Sequence, residues 1–354
     1  MSFDLILPYL RPIESLLLDD DISEIMVNAS GRVFIERLGV LAEVTGIVLL
    51  EKHLNIAAKN IARLLDDDIS EAKPMLDARL TDGSRVAVMI PPCSVAGTTL
   101  TIRKFGRRQF SLDQLVDLGC LNDKVASCLL DATESGKNVL ISGGTGTGKT
   151  TLLSALLGGV PVQERIVLIE DTAEIQLCKA NLVRFEARRA SPELPEVSIR
   201  DLIKASLRHR PDRIIVGEVR GGEAFDLLQA LNTGHAGAVT TVHANSAENA
   251  LTRLSHCVLQ SGVALPYVSI LRQVAELIDL VAHIERRQGK RLVTELISVR
   301  GFDDRTGRFE IDVLHGGDLE LGGSNGSKTG SLPPHRRPVA AEESSGISPL
   351  RRSV

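Results

Sequence analysis

Aromatic side chains are scarce in this sequence, which has no Trp, two Tyr and eight Phe among 354 residues. Proteins that track single-stranded nucleic acid usually stack successive bases on aromatic rings in a basic groove. The formal net charge of -4 also gives no bulk attraction for a phosphate backbone. We therefore expect no direct sequence-specific binding of nucleic acid, and the composition disfavours a nucleic-acid motor.

Paired cysteines are absent as well. The five cysteines are at positions 93, 120, 128, 178 and 257, and none belongs to a C-x-x-C pair. Such scattered thiols indicate neither a zinc site nor a disulfide framework. Their odd number is typical of reduced thiols in a cytosolic protein.

The sequence also lacks a long apolar run. No stretch approaches the roughly 18 residues that cross a bilayer as a helix. The partly apolar segment 1–18 is interrupted by Asp4 and has no basic region before it, so we expect no signal peptide. With 43% apolar and 24% charged residues, the composition is that of a soluble globular protein. The length of 354 residues suits two domains and a tail.

One stretch carries a specific chemical signal. Residues 143–150 read GGTGTGKT and fit G-x-x-x-x-G-K-[ST], the phosphate-binding P-loop. A strand-like apolar segment at 138–142 precedes them and a helix-like segment at 151–157 follows, which is the order that the motif requires. The glycines let successive N–H groups turn inward around a polyphosphate, and the helix N-terminus adds positive potential. The stretch predicts a site for ATP and Mg²⁺.

Individual roles follow from the chemistry of this motif. Lys149 is expected to reach the β and γ phosphates, and the Thr150 hydroxyl to ligate Mg²⁺. The other nucleotide-binding candidates in the loop are Gly143, Gly144, Thr145, Gly146, Thr147, Gly148 and Thr151.

Residues 1–105 carry no catalytic motif but predict a smaller α+β domain. Helical patterns cover 10–18 and 53–67, and strand patterns cover 24–27, 32–37, 78–80, 84–90 and 98–103. The domain ends in the basic run 103–108, and 106–120 are expected to form a linker. Arg103 either belongs to a solvated linker or swings over the phosphates bound by the next domain, since ligands often bind between domains.

Residues 121–315 alternate strand and helix patterns, which predicts an α/β domain with a mostly parallel, doubly wound sheet. Ligands of such sheets collect at the carboxyl ends of the strands. The P-loop, Glu170 with Asp171, Glu218 and His243 each follow a different expected strand. We therefore expect them to face the same γ-phosphate. Residues 316–354, rich in Gly, Ser and Pro, are expected to form a disordered tail.

Hydrolysis of a phosphoanhydride needs charge neutralisation, a positioned water and usually an arginine. Glu218 is the candidate for holding Mg²⁺, Glu170 for polarising water, and Asp171 for supporting the metal, although two carboxylates beside one metal can exchange roles. Arg208 either caps the end of a helix or acts as an arginine finger, which would need an oligomer if it served a neighbouring subunit. His243 is either structural or a sensor of the γ-phosphate.

Together these residues resemble the secretion-superfamily ATPases of type IV secretion, conjugation, type II secretion and type IV pili. Residues 143–150 match the Walker A motif of that family, 168–174 its Asp box, 216–220 its atypical Walker B motif and 233–243 its His box. Arg208 matches the arginine that precedes that Walker B motif. The resemblance covers about residues 20–315 and implies a RecA-like P-loop NTPase domain.

The branch and setting are likewise implied by the resemblance. The sequence is most similar to conjugal-transfer ATPases of the TrbB kind, in segments 23–28, 31–34 and 101–105. Such proteins form hexameric rings at the cytoplasmic face of the inner membrane and work with membrane-embedded secretion or conjugation proteins. Two alternatives stay open, which are a type IV or tight-adherence pilus assembly ATPase and a nucleotide-gated scaffold without turnover.

Overall fold

The computed structural model describes residues 7–64, 67–80, 82–105, 109–188, 190 and 194–316. The chain divides into two compact units, Met1–Asp318 and Leu319–Val354, and every described residue belongs to the first. The tail expected at 316–354 lies outside the described residues except for its first residue, as do positions 106–108 of the basic run. The expected domain boundaries stay predictions.

The regular elements agree with most of the sequence patterns to within a few residues. The helices are α1 Glu14–Leu18, α2 Glu51–Leu64, α3 Leu112–Asp117, α4 Asp123–Glu134, α5 Lys149–Gly158, α6 Ile199–Ser206, α7 Glu223–Asn232, α8 Ala247–Leu259 and α9 Tyr267–Leu277. The strands are β1 Ile22–Val27, β2 Arg32–Arg37, β3 Val40–Val48, β4 Met75–Arg79, β5 Arg85–Met89, β6 Thr99–Arg103, β7 Val139–Gly143, β8 Ile166–Glu170, β9 Leu182–Glu186, β10 Arg213–Val219, β11 Val239–Val242, β12 Leu280–Arg287, β13 Lys290–Asp303 and β14 Arg308–Gly316.

The first six strands form one antiparallel sheet in the order β3-β2-β1-β6-β5-β4. Its core is an apolar cluster that includes Ile25, Val33 and Ile102, together with Leu54 and Ile61 of α2. Strand β3 was not expected, because it is a mostly exposed edge strand without an alternating apolar pattern. The helix expected at 10–18 is shorter, since a 3₁₀ turn at Arg11–Ile13 comes before α1.

The later strands form a mixed sheet in the order β14-β13-β12-β7-β11-β10-β8-β9. The strands from β12 to β9 in this order are parallel neighbours, whereas β13 and β14 join antiparallel. The protein is therefore an α/β protein, as expected. Strands β7 and β8 are buried along their whole length, which is typical of parallel strands covered by helices on both faces.

Alternate residues of β7 enter two different apolar clusters. Leu140 belongs to a cluster with residues of α7, α8 and α9. Val139 and Ile141 belong to a second cluster, with residues of α3, α4 and α5. The strand is fixed on both faces, so the loop that follows Gly143 starts from a rigid support. Among the described helices, none is both long and apolar enough to cross a membrane.

Candidate active site

The P-loop lies between the carboxyl end of β7 and the start of α5, as its sequence context predicts. Gly148 precedes α5 with a φ of 101°, a left-handed conformation that side chains rarely adopt. At Gly143, a Cβ atom would lie 2.3 Å from the carbonyl oxygen of Ile284 on β12. Glycine at these two positions is thus required by the backbone turn and by the neighbouring strand.

The Lys149 side chain folds over this loop. Its Nζ donates a hydrogen bond to the carbonyl oxygen of Gly144 at 2.9 Å and lies 3.3 Å from Nδ1 of His243. Burial lowers the pKa of the Lys149 ammonium; the carboxylate of Glu218 opposes this effect and the Arg220 guanidinium adds to it. The ammonium is therefore poorly compensated, which favours binding of an anion at this point.

His243 and Glu218 meet beside this lysine. Nε2 of His243 lies 2.7 Å from Oε1 of Glu218, although among the described residues this buried oxygen has no donor aligned for a hydrogen bond. Burial and the Lys149 charge lower the pKa of His243, against the effect of Glu218. Since the ammonium faces Nδ1 and can only donate, this contact favours the neutral tautomer of His243 that leaves Nδ1 unprotonated.

Arg220 occupies the other side of the Glu218 carboxylate. Its guanidinium donates to Oε2 of Glu218 at 2.7 Å and to Oδ2 of Asp171 at 3.4 Å. One exposed arginine thereby bridges the two carboxylates that the sequence marks as metal candidates. Sequence reasoning did not give Arg220 a role, because nothing in its local sequence shows that its guanidinium turns back to the two carboxylates.

Glu170 is buried and both its oxygens are engaged. Oε1 accepts hydrogen bonds from the N–H groups of Glu174 and Ile175, each at 2.8 Å, and Oε2 accepts one from Arg184 at 3.2 Å. The carboxylate thus holds the loop after β8. The expected role of Glu170 in polarising water stays a prediction.

A pH dependence of stability follows from this burial. Burial raises the pKa of Glu170, against the hydrogen bonds from Ile175, Glu174 and Arg184. A raised folded-state pKa means that the native state holds the proton more tightly than the unfolded chain. Tighter proton binding by native Glu170 therefore adds to the free energy of unfolding. The added stability is fully present below the pKa of the unfolded chain, about 4.5, and is lost as the pH rises through the pKa of Glu170 in the folded protein.

We therefore expect the stability difference between wild type and Glu170→Gln to change with pH. The advantage of wild type should shrink as the pH rises from about 4.5 towards neutrality, because only wild type loses a bound proton there. Urea unfolding of both proteins at several pH values measures this difference. A difference that grows with pH would mean that the Glu170 pKa is lowered by its partners.

Arginines of the first sheet reach the same loop. Nη1 of Arg103, on β6, lies 3.7 Å from Oε1 of Glu174. Arg79, on β4, donates a hydrogen bond to the carbonyl oxygen of Ala173 at 3.2 Å and forms an ion pair with Glu186. Arg103 thus contacts the loop after β8, and its expected contact with phosphates stays a prediction. Arg79 was missed, because nothing in its local sequence separates it from an ordinary strand arginine.

Arg208 lies at the opposite edge of the sheet from the P-loop. It follows α6 and precedes β10, so it lies near the amino end of β10. The next residue, His209, accepts a hydrogen bond from Arg165 through its carbonyl oxygen, and Arg165 is at the amino end of β8. The P-loop is at the carboxyl edge of the same sheet. Within one chain the structure does not bring Arg208 to the other candidates.

The remaining candidates belong to the loop and the start of α5. The Thr147 hydroxyl donates to the carbonyl oxygen of Gly144 at 3.0 Å, while Thr145 is exposed. Thr150 and Thr151 lie in the first turn of α5 and are half-buried. The structure therefore brings together the P-loop, Glu218, His243 and Asp171.

Comparison with known proteins agrees with these motifs. The chain matches the family model of type II/IV secretion system proteins over residues 9–310. It is 37% identical over 288 residues to the conjugal transfer protein TrbB of Rhizobium radiobacter, covering 80% of this chain and 85% of that protein. It is 39% identical over 313 residues to the type IV secretion system protein PtlH of Bordetella pertussis, covering 80% and 91%.

A solved structure shows the same likeness at the level of the fold. The X-ray structure of the Legionella pneumophila ATPase DotB aligns with a TM-score of 0.60 at 20% identity, covering 80% of this chain and 79% of that one. The resemblance that the motifs indicate, to secretion-superfamily traffic ATPases and their TrbB-like members, is confirmed. The chain belongs to the type II/IV secretion system protein family.

Proposed function

We propose that this chain hydrolyses ATP as the motor of a type IV secretion or conjugation system, built on a RecA-like P-loop core and working as a hexameric ring. The observation that carries the proposal is the convergence of Lys149, His243 and Glu218 at the end of the P-loop. A cation, an imidazole and a carboxylate from three elements meet where a γ-phosphate would lie. That arrangement suits phosphoryl transfer to water.

Binding of the nucleotide is assigned to the P-loop. The backbone N–H groups of residues 143–151 would cradle the phosphates, and Lys149 would exchange its hydrogen bond with the Gly144 carbonyl for the β and γ phosphates. The buried, poorly compensated ammonium gains most from such an exchange. Arg103 would add positive charge from the first sheet once its weak pairing with Glu174 is released.

The residues present also fit Mg²⁺. Among the described residues no group of three or more His, Cys, Asp or Glu side chains forms a metal cage. Mg²⁺ needs none, since it usually takes one or two protein oxygens and completes its shell with phosphates and water. Thr150 would ligate it directly, and the Glu218 carboxylate would hold it through a bound water, with Asp171 in support. When bound, Mg²⁺ neutralises charge on the phosphates.

We assign orientation of the attacking water to Glu218 rather than to Glu170. Both oxygens of Glu170 are occupied by loop N–H groups and Arg184, whereas Oε1 of Glu218 accepts no aligned hydrogen bond and faces only Nε2 of His243, at 2.7 Å, among the described residues. Water would attack the γ-phosphorus as the bond to the β–γ bridging oxygen breaks; ADP would leave with that oxygen and its electron pair, and the water proton would pass to the carboxylate or to the inorganic phosphate formed. His243 would turn its Nε2 from the Glu218 carboxylate to the γ-phosphate, donate a hydrogen bond to it and so report its presence.

An oligomer is supported by the position of Arg208. Phosphoryl transfer usually needs an arginine at the transition state, and Arg208 lies at the sheet edge opposite to the P-loop of its own chain. If it acts in catalysis rather than at the end of its helix, it would therefore serve the site of a neighbouring subunit. The names of the relatives support a setting in a secretion or conjugation machine. By extension we place the ring at the cytoplasmic face of the inner membrane, bound to the membrane-embedded proteins of that machine.

The proposal is tested by steady-state ATP turnover of the purified chain, measured beside its mass in solution with and without Mg-ATP. We expect a ring of about six subunits and turnover that depends on Mg²⁺. Rings that form with ATP but never hydrolyse it, even with the membrane partners present, would favour a nucleotide-gated scaffold and overturn the motor.

A further inference from the structure

One arginine outside the motifs contacts both the P-loop and the first sheet. Arg291 is the second residue of β13, beside the turn that joins it to β12. Its Nε donates a hydrogen bond to the carbonyl oxygen of Gly146 at 3.2 Å, and its Nη2 lies 3.6 Å from Oε1 of Glu36 on β2. We propose that Arg291 is a positioning residue that couples the P-loop to the first sheet through Glu36.

The close approach of Arg291 depends on glycine on both sides. A Cβ atom at Gly148 would lie 3.1 Å from Cδ of Arg291, so a side chain there would press on the arginine stem. A Cβ atom at Gly39, after β2, would lie 3.2 Å from Nη1. The guanidinium therefore lies between the P-loop and the β2–β3 turn, and side chains at these two glycines would crowd it.

The hydrogen bond to Gly146 acts on the peptide group that follows. In a trans peptide the carbonyl of one residue and the N–H of the next point in opposite directions. Arg291 holds the Gly146 carbonyl on its own side of the loop, so the Thr147 N–H points to the other side, away from the arginine. Because of its glycines, the loop can adopt many conformations when no nucleotide is bound. Ordering the loop into the single conformation that binds nucleotide costs free energy, and a contact that holds this conformation in advance lowers that cost.

Glu36 is itself fixed within the first sheet. Its Oε2 accepts a hydrogen bond from the Ser23 hydroxyl at 3.0 Å, and Arg286 of β12 lies 3.9 Å from its Oε1. A movement of the first sheet therefore moves the carboxylate that holds the Arg291 guanidinium. Since that guanidinium also fixes the P-loop carbonyl, the affinity for nucleotide depends on the position of the first sheet.

This coupling is separate from the contacts of Arg79 and Arg103. Those arginines reach the loop after β8, whereas Arg291 reaches the P-loop itself. The inference rests on the proposed binding of nucleotide at the P-loop. Its test therefore begins with wild type, whose failure to bind nucleotide would count against the proposed function rather than against the coupling.

The experiment measures the dissociation constant of a fluorescent ATP analogue for the full chain and its variants. We expect Arg291→Ala to weaken binding about tenfold, as for loss of one charge-assisted hydrogen bond. Arg291→Lys should weaken it similarly, because an ammonium cannot donate in the fixed fork that reaches both partners. Arg300→Ala is the matched control, since this arginine lies on the same strand and pairs with Asp312 of β14; its affinity should equal that of wild type.

The decisive measurement is a double-mutant cycle, in which nucleotide affinity is measured for Arg291→Ala, for Glu36→Gln and for the variant that carries both changes. Alone, Glu36→Gln should weaken binding about threefold, and in the Arg291→Ala background it should have no further effect. Additive effects of the two changes would overturn the coupling, because Glu36 would then act on nucleotide by another route. Wild-type affinity in Arg291→Ala would overturn it as well. Thermal unfolding of each variant without nucleotide is measured alongside, and we expect melting temperatures close to that of wild type, so that a loss of affinity reflects the site and not a loss of fold.

Discussion

Lys149→Ala is expected to lower ATP turnover at least about a hundredfold, as for the loss of a preorganised charged donor at a transition state. In the structure the buried Lys149 ammonium donates to the Gly144 carbonyl and lies beside His243, so its removal takes away polar contacts at the P-loop and no apolar side chain of the core. Since burial lowers the pKa of its ammonium, the alanine variant also removes a charge that the folded state accommodates poorly. We therefore expect a melting temperature equal to or above that of wild type.

Steady-state turnover and circular dichroism melting of the same preparation measure both effects. Lys124→Ala is the matched control, because this lysine is exposed in the first turn of α4. Its turnover should equal that of wild type. A Lys149→Ala protein that unfolds at low temperature would show that the lysine supports the fold, and one that keeps its turnover would remove it from the site.

Glu218→Gln is expected to abolish turnover while nucleotide binding and the ring persist. The amide has nearly the same shape as the carboxylate, and its oxygen can still accept from Arg220, so the local packing stays. It has lost the negative charge that would hold Mg²⁺ and the ability to accept a proton from water. A loss of at least about a hundredfold in turnover at unchanged affinity would place Glu218 in the chemical step.

The control for this variant is Glu248→Gln, an exposed acid in the first turn of α8. Its turnover, affinity and mass in solution should match those of wild type. If Glu218→Gln keeps near-normal turnover, the water is oriented elsewhere, and Glu170 returns as the candidate despite its contacts with the loop. If the variant loses affinity as well, Glu218 acts mainly in binding.

A change at Lys149, Glu218 or His243 and a change at Arg208 are expected to affect the sites of different subunits. Lys149, Glu218 and His243 meet at the carboxyl edge of one sheet, so changes at these positions disable the site of their own subunit. Arg208 lies at the other edge, and in the proposed ring it belongs to the site of the neighbour. The catalytic unit is then the interface of two subunits, which ties turnover to assembly.

Much of the site could be predicted from local sequence. The P-loop pattern needs only its neighbouring strand and helix, and both appear at Val139–Gly143 and Lys149–Gly158. The positions of Glu218 and His243 followed from one rule of parallel sheets, that strand ends share an edge. Apolar runs identify such buried strands well because both faces are covered.

Contacts between distant segments could not be predicted in the same way. Strand β3 lies at an exposed edge, so no burial pattern marks it. Arg220, Arg79 and Arg291 look like ordinary charged residues in sequence, and each gains its partners only when separate elements pack. The hydrogen bonds to the two Glu170 oxygens likewise form only when the loop after β8 folds back over the carboxylate and Arg184 of β9 lies beside it.

The sequence by itself determined the α/β class, the family and most candidates of the P-loop site, because these depend on short patterns and on strand ends that share one edge. The tertiary structure alone decided which charges pair. It left an oxygen of Glu218 without an aligned donor, turned Glu170 to its loop, and placed Arg291 between the P-loop and Glu36. The physical reason is that the pairing of charged side chains depends on distances of a few ångströms between segments far apart in the chain, which no local pattern encodes.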